Sequence, residues 1–412
     1  MADIISGKSR FTGDSSAKVV RFPTNNNAGE NEDFKKKLNN HRKRMAFMAL
    51  LIAGILIVSV IILYYIMDGI TYSTYSVLSS VNRDDSETAE YAVYGDGYIR
   101  YSNDGIAYHN RNGEVIWDKT YSMQKPQIKT CGEIVAVGDI NGSSIYVFNK
   151  AGALGNVDTS MTISQIEVAK QGVVAAVLED NDANYINLYN YNNDKIYSVK
   201  TSLSGDGYPI DISISDDGTK LIASYLYVSG EKIKTNVVFY NFSDVGQNET
   251  QRIVGGFNHY NDTIVGDVKF YGNTTAIAIG ENIISIYNIN EYPNLLKEIT
   301  IENEIQKVIF SDKYIGLLLD NSDTGDIYKL AVYDTNGKMV SKVSFNTQYE
   351  NIVLDNKTIV MNTSSTLCLM NFSGKVLADI QMNLPIDKIL THNSRGNYIC
   401  VNSKYIQNIR LK

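Results

Sequence analysis

Between Ile106 and Ile409 a short run of alternating apolar residues, closed by a bulky residue and then a polar one, is written eight times. The copies are IAYHN, IYVFN, INLYN, VVFYN, ISIYN, LAVYD, LCLMN and IQNIR, and their fourth positions are His109, Phe148, Tyr189, Tyr240, Tyr287, Tyr333, Met370 and Ile409. Successive anchors stand 39, 41, 51, 47, 46, 37 and 39 residues apart. A unit of that length cannot bury both faces of its own sheet, so the units must stack around a common axis. That is the pattern of a β-propeller.

Alternation with a period near two makes each anchor run a strand with one face more deeply buried. The turns that follow hold Asn112-Gly113, Asn336-Gly337 and Ser373-Gly374, where glycine accepts positive φ at little steric cost, and lead into EVIWDKTY, KMVSKVSF and KVLADIQM. Upstream of the anchors lie further apolar runs such as EIVAVGD, VVAAVLED and NYICVN, and DISISDDGTKLIASY shows a fourth strand before them. The unit is therefore a four-stranded blade. The last anchor stands three residues from Lys412, too close to the end for another strand, so an N-terminal strand is needed to close the ring; AEYAVYG (89–95) is the expected one. Eight blades are expected, seven if the first or last copy is incomplete.

Residues 45–67, MAFMALLIAGILIVSVIILYYIM, carry no charge. At about 1.5 Å rise per residue such a helix covers the roughly 30 Å hydrocarbon layer of a bilayer. Lys43 and Arg44 end a basic stretch just before it, Asp68 and the acidic cluster Asp84, Asp85 and Glu87 follow, and Tyr64 and Tyr65 stand near its outer end. Positive-inside bias and the aromatic belt then put the N-terminus in the cytoplasm and the repeats outside. The run is too long, and too far from the N-terminus, for a cleaved signal peptide. The expected organisation is a disordered basic tail (1–44), a membrane-anchoring helix (45–67), a serine-rich linker (68–88) and a propeller (89–412).

The tail holds ten Lys or Arg against five Asp or Glu, which leaves 28 against 40 in residues 45–412, a net charge of −12. A surface of that sign argues against nucleic acid, whose phosphates need a basic footprint. Three cysteines, Cys131, Cys368 and Cys400, lack the CxxC spacing of a zinc or redox site and are expected as small buried side chains.

NRNGEVIWDKTY (110–121) resembles the turn-and-strand signature of quinoprotein-like (PQQ-like) propeller repeats, with Trp117 at the tryptophan position and other residues there in the later units. ISISDDGTKLIAS (212–224) is similar to the Ser-Asp-Gly turn of WD40-like and TolB-like blades. The arrangement as a whole is similar to an uncharacterised Firmicutes family of membrane-anchored propellers. These resemblances imply the fold and supply no activity.

Chemistry must then come from the residues. No GxSxG, HExxH or glycine-rich phosphate loop occurs. His109 occupies a column otherwise filled by packing residues. A glycosidase pair could be drawn from Asp180, Asp182, Asp206, Asp211, Asp320, Asp323 and Asp326, all expected in or near turns, and nothing in their spacing selects two. DNSDTGD (320–326) is the one candidate cation loop, through Asp320, Asp323 and Asp326, but it lacks the EF-hand spacing and terminal glutamate. No catalytic group and no cofactor is expected. Propellers present broad binding faces, so the expected function is a non-catalytic scaffold in the cell envelope that binds another protein or a wall polymer. The alternative is an enzyme or small-ligand sensor using the channel. The expected contact loops are Tyr225–Thr235, Gly255–Asp262 and Asn321–Asp326.

Overall fold

The computed structural model describes residues 28–68, 70–83, 88–202, 205–260, 263–321, 325–392 and 396–412, in two units divided at Gly69. The first unit is one helix, α1, Ala28–Asp68. It is long and apolar enough to cross a membrane, by length and composition. Lys43 and Arg44 are exposed on it, whereas the side chains of Tyr64 and Tyr65 lie outside the described residues. The helix begins well before Met45, which corrects the expectation of disorder up to residue 44. Residues 28–44 are rich in Glu, Lys and Arg, and extending a helix already nucleated by an apolar run costs far less than starting one.

The second unit holds eight antiparallel sheets of four strands each. We label the strands of a blade a to d from the axis outward; in blade 1 they are Glu90–Tyr94, Gly97–Ser102, Gly105–His109 and Val115–Thr120. All eight anchors end strand c or sit near its end, and all are buried. Each also marks a β-bulge, because strand d carries one extra residue opposite the anchor. The extra residue is apolar every time: Ile116, Leu154, Ile196, Val254, Leu296, Val340, Leu377 and, in blade 8, Leu78. A bulge bends its strand and increases local twist, which turns the outer strand of each blade in the same way.

The polar residue after the anchor has its own cause. In blade 1 the side-chain oxygen of Asn110 accepts the backbone N–H groups of Asn112 and Glu114 at 2.9 and 3.0 Å. Asn190, Asp334 and Asn371 cap the same turn two and four residues on. Such Asx turns favour the tight c–d connection, in which Gly113, Gly337 and Gly374 take φ of 88°, 71° and 87°. Arg410 occupies this slot in blade 8, where no turn exists.

Blade 8 is built from both ends of the chain. Its strands a to c are Ile386–Thr391, Asn397–Asn402 and Tyr405–Leu411, and its strand d is Tyr75–Asn82. The closing strand therefore comes from the segment expected as linker. AEYAVYG instead supplies strand a of blade 1, which touches strand a of blade 8. Both assignments are corrected by one physical fact: an outer strand needs only a partner for its hydrogen bonds. Tyr75–Asn82 buries little of itself, with Val77 and Leu78 45% and 48% exposed. The lead-in is pinned as well. The Tyr72 N–H donates to the Leu377 carbonyl at 2.7 Å, and Lys412 and Thr74 exchange backbone hydrogen bonds.

Packing between blades forms the core, with clusters that run from one sheet to the next, such as Ile222, Phe239, Val268, Ala278 and Tyr287. Trp117 of blade 1 stacks on the blade 2 anchor Phe148 at 4.8 Å. Polar side chains tie neighbours near the axis: Lys129 to Glu167, Gln165 to the carbonyls of Pro209 and Ile210, and Asp211 and Ser213 to the N–H groups of Val268 and Phe270.

Candidate interaction face and central channel

Antiparallel order fixes which turns share an end of the ring. All a–b and c–d turns lie at the end where the chain comes in through Ile70–Thr74, here the root; all b–c turns and d–a connections lie at the other, the crown. The segments Tyr225–Thr235, Gly255–Asp262 and Asn321–Asp326 are a b–c turn, a d–a connection and a b–c turn. The structure thus brings them to one end, on blades 4 to 6.

The largest of them is the blade 4 hairpin. Its strands, Lys220–Ser229 and Lys232–Asn241, have ten residues each, whereas strands b and c of the other blades have five to seven. At about 3.3 Å per residue the extra length carries its tip on the order of 10 Å beyond its neighbours. Gly230 makes the tip at φ 65°. Below it the hairpin is clasped to blade 5 by a pair of bonds on one residue: Ser224 Oγ donates to the Val265 carbonyl at 2.7 Å, and the Val265 N–H donates to Thr235 Oγ1 at 3.2 Å. Above the clasp the same face ends in Val228 and Ile233, opposite each other and 76% and 55% exposed.

Gly255–Asp262 is anchored through Tyr260, whose buried hydroxyl bonds that of the blade 5 anchor Tyr287. Beside it His259 pairs with Glu298 at 2.6 Å on the surface. The last two residues of the segment lie outside the described ones. In the third segment Asn321 donates to the Asp326 carbonyl and Asn346 donates to the Asp326 carboxylate, each at 3.0 Å. Asp320 ends strand b of blade 6, and Asp323 lies outside the described residues. Among the described residues no three His, Cys, Asp or Glu side chains are grouped so as to hold a metal.

The channel has its own chemistry. A cavity of about 560 Å³ opens at the root between blades 1, 6, 7 and 8, over Val93, Tyr314, Val353, Asp355 and Thr391. A cleft of about 220 Å³ separates blades 5 and 6 at the crown, next to Asp267, Glu281 and Lys307. Asp211, expected with the other carboxylates near a turn, stands instead within strand a of blade 4, Tyr208–Ile214. Burial raises its pKa to about 7, against the pull of the Val268 N–H and Lys129. Asp206 accepts from Ser202 and Asp180 from the N–H of Asn181, as turn residues do. The thiols of Cys131, Cys368 and Cys400 are free, and burial pushes each of them up. The bulges and the clasp on Val265 are features that sequence reasoning missed; the extra length between the third and fourth anchors was the trace of the long hairpin.

The whole ring, from the closing strand to the last, is matched at residues 68–411 by the model of a family of unknown function, DUF5711. The chain belongs to that family. Among solved structures it is similar to BamB from Moraxella catarrhalis, with 9% identity over 82% of this chain and 100% of that one and a TM-score of 0.50. It is also similar to Sqt1 from Saccharomyces cerevisiae, with 11% identity over 83% and 99% and a TM-score of 0.53. At these identities the likeness is one of fold, that of WD40-like and PQQ-like propellers. No curated protein matches the chain.

Proposed function

We propose that this protein is a non-catalytic scaffold of the cell envelope, held in the membrane by α1 with its propeller outside the cytoplasm, and that the crown binds another protein. One observation carries the reading: the enlarged segments of blades 4 to 6 gather at the end of the ring opposite the one where the chain comes in. The longest hairpin of the ring stands at the crown. The uncharged run before Asp68, with Lys43 and Arg44 on its N-terminal side, supports the orientation. A wall polymer is the other partner class this reading admits.

A second reading is favoured by the root cavity, whose size suits a small ligand. It makes the protein a channel enzyme or a sensor. Cross-linking in cells followed by mass spectrometry separates the two, using the full chain and a chain lacking residues 70–412. Partners that depend on the propeller support the scaffold. If none depends on it, the scaffold fails and the cavity is the site to screen.

A further inference from the structure

We propose that the root rim of the ring rests on lipid: a circle of exposed apolar side chains at that end seats in the headgroup layer of a membrane. This rests on the reading of α1 as a membrane helix and is independent of the scaffold role.

Among the described residues of the ring, the exposed large apolar side chains fall on the root half, with three exceptions, Val228, Ile233 and Ile327 at the crown. Most of them stand early in strand d, just after the c–d turn: Val115 and Ile116 in blade 1, Ile196 in blade 3, Leu296 in blade 5, Met339 in blade 6 and Val376 in blade 7. The bulge explains part of this placement. Ile116, Ile196 and Leu296 are the extra residues of their strands, so no residue of strand c stands opposite them. An outer strand needs a partner only for its hydrogen bonds, and a polar side chain would serve there as well. One exposed apolar side chain needs no explanation; a set gathered at one end of a ring does.

Their distribution says what this end meets. Every blade but the second contributes, so the occupant touches the ring on nearly all sides at one height. A peptide or a protein partner covers a sector, whereas a flat lipid surface meets the whole circle. Tyr292, in the c–d turn of blade 5, is exposed at the same end, and tyrosine favours the headgroup region. Chain length gives a second argument. The uncharged run ends at Met67, three positions before the exposed Ile70, and three peptide steps span at most about 11 Å. The crown has the wrong chemistry for a membrane: Asp104, Asp180 and Asp182 in its b–c turns and Glu302 and Glu304 in a d–a connection would be repelled by anionic headgroups.

The test uses the full-length protein in nanodiscs of phosphatidylcholine and phosphatidylglycerol, with a fluorophore on one introduced cysteine at a time and a nitroxide-bearing lipid as quencher. Ile196→Cys on blade 3 is the deciding position, because the chain enters beside blades 7 and 8, across the ring from it. Leu296→Cys is a second rim position, Val228→Cys reports the crown, and Ala53→Cys reports the uncharged run. The expected result is that the nitroxide lipid lowers emission at least about twofold at both rim positions and at Ala53, and leaves Val228 unchanged. With Ala53 quenched, rim labels that stay unquenched overturn the proposal and spare the membrane helix, whether water, a protein or a second copy covers them. Quenching of Val228 to the same degree as the rim also overturns it. If Ala53 is unquenched, the membrane reading fails and this proposal with it. A triple variant, Ile116→Asn, Ile196→Asn and Val376→Asn, whose thermal transition shows the ring intact, should lose at least about half of the quenching at Leu296→Cys. Unchanged quenching there would overturn the apolar rim as the seat.

Discussion

The imidazole of His109 lies flat on the ring of Tyr98, with centroids 4.8 Å apart and planes 2° from parallel. Its Nδ1 pairs with the Gly113 carbonyl at 3.1 Å, and its Nε2 is buried without a partner. Desolvation lowers its pKa, and Arg100 adds to the effect against the Gly113 carbonyl. His392, which reaches the Gly97 carbonyl across the junction of blades 8 and 1, is lowered for the same first reason. Two of the four histidines thus have their proton affinity lowered by burial beside the junction of blades 8 and 1.

A histidine whose pKa is lowered by folding binds its proton more readily when unfolded, so stability is full above the ordinary value of about 6.5 and falls as the pH drops below it. His109→Phe, which restores the residue type of the column, removes part of that loss. Urea midpoints should show the variant gaining on the parent as the pH falls from 8 to 5, and a difference that does not change with pH would contradict this.

Asp211 works in the opposite sense. Its pKa is raised to about 7, so its contribution is favourable below the ordinary carboxylate range and is lost as the pH rises through 7. Asp211→Asn keeps an acceptor for the Val268 N–H and removes the charge. The variant should gain on the order of 2 kcal/mol at pH 8, a figure reduced for the partial exposure of Asp211, and nothing at pH 4.

Ring closure can be moved from one terminus to the other. A chain beginning at Arg83 lacks Tyr75–Asn82 and leaves strand c of blade 8 with an open edge. It should melt on the order of 10 °C below a chain beginning at Ile70, or aggregate. Joining residues 75–82 after Lys412 through an Asn-Gly turn rebuilds the c–d hairpin of the other blades and should restore the transition. The termini are already in register for this, since the Lys412 N–H donates to the Thr74 carbonyl at 2.8 Å.

Orientation is tested by labelling. Cys368 and Cys400 are buried and Cys131 is half-buried, so introduced cysteines report against a low background. In intact cells a membrane-impermeant maleimide should label Val228→Cys and leave His41→Cys unlabelled until lysis. The reverse pattern would invert the topology.

The sequence displayed the blades through their least replaceable positions. Anchors from Phe148 to Ile409 are buried between sheets, and the polar residue after them is required by the c–d turn, so both recur and could be counted. The closing strand left no such trace. YSVLSSVN packs one half-exposed face, and its partners lie more than 300 residues away, so its identity is decided by ring geometry and not by local pattern. Asp211 was hidden for a related reason: whether an aspartate a few residues before a Ser-Asp-Gly turn faces solvent or is buried against a neighbour depends on the next blade, whose Val268 N–H it accepts. The crown face was half legible, since unit length gave the insertions and only the strand order put them at one end.

Photo-cross-linking from the two ends of the ring tests the central claim most directly. A benzophenone side chain is placed at Val228 on the crown or at Lys313 on the root of the full-length protein in living cells. The account predicts a discrete partner adduct from Val228 and none from Lys313. Adducts from Lys313 with none from Val228 would contradict it and move the functional face to the root cavity.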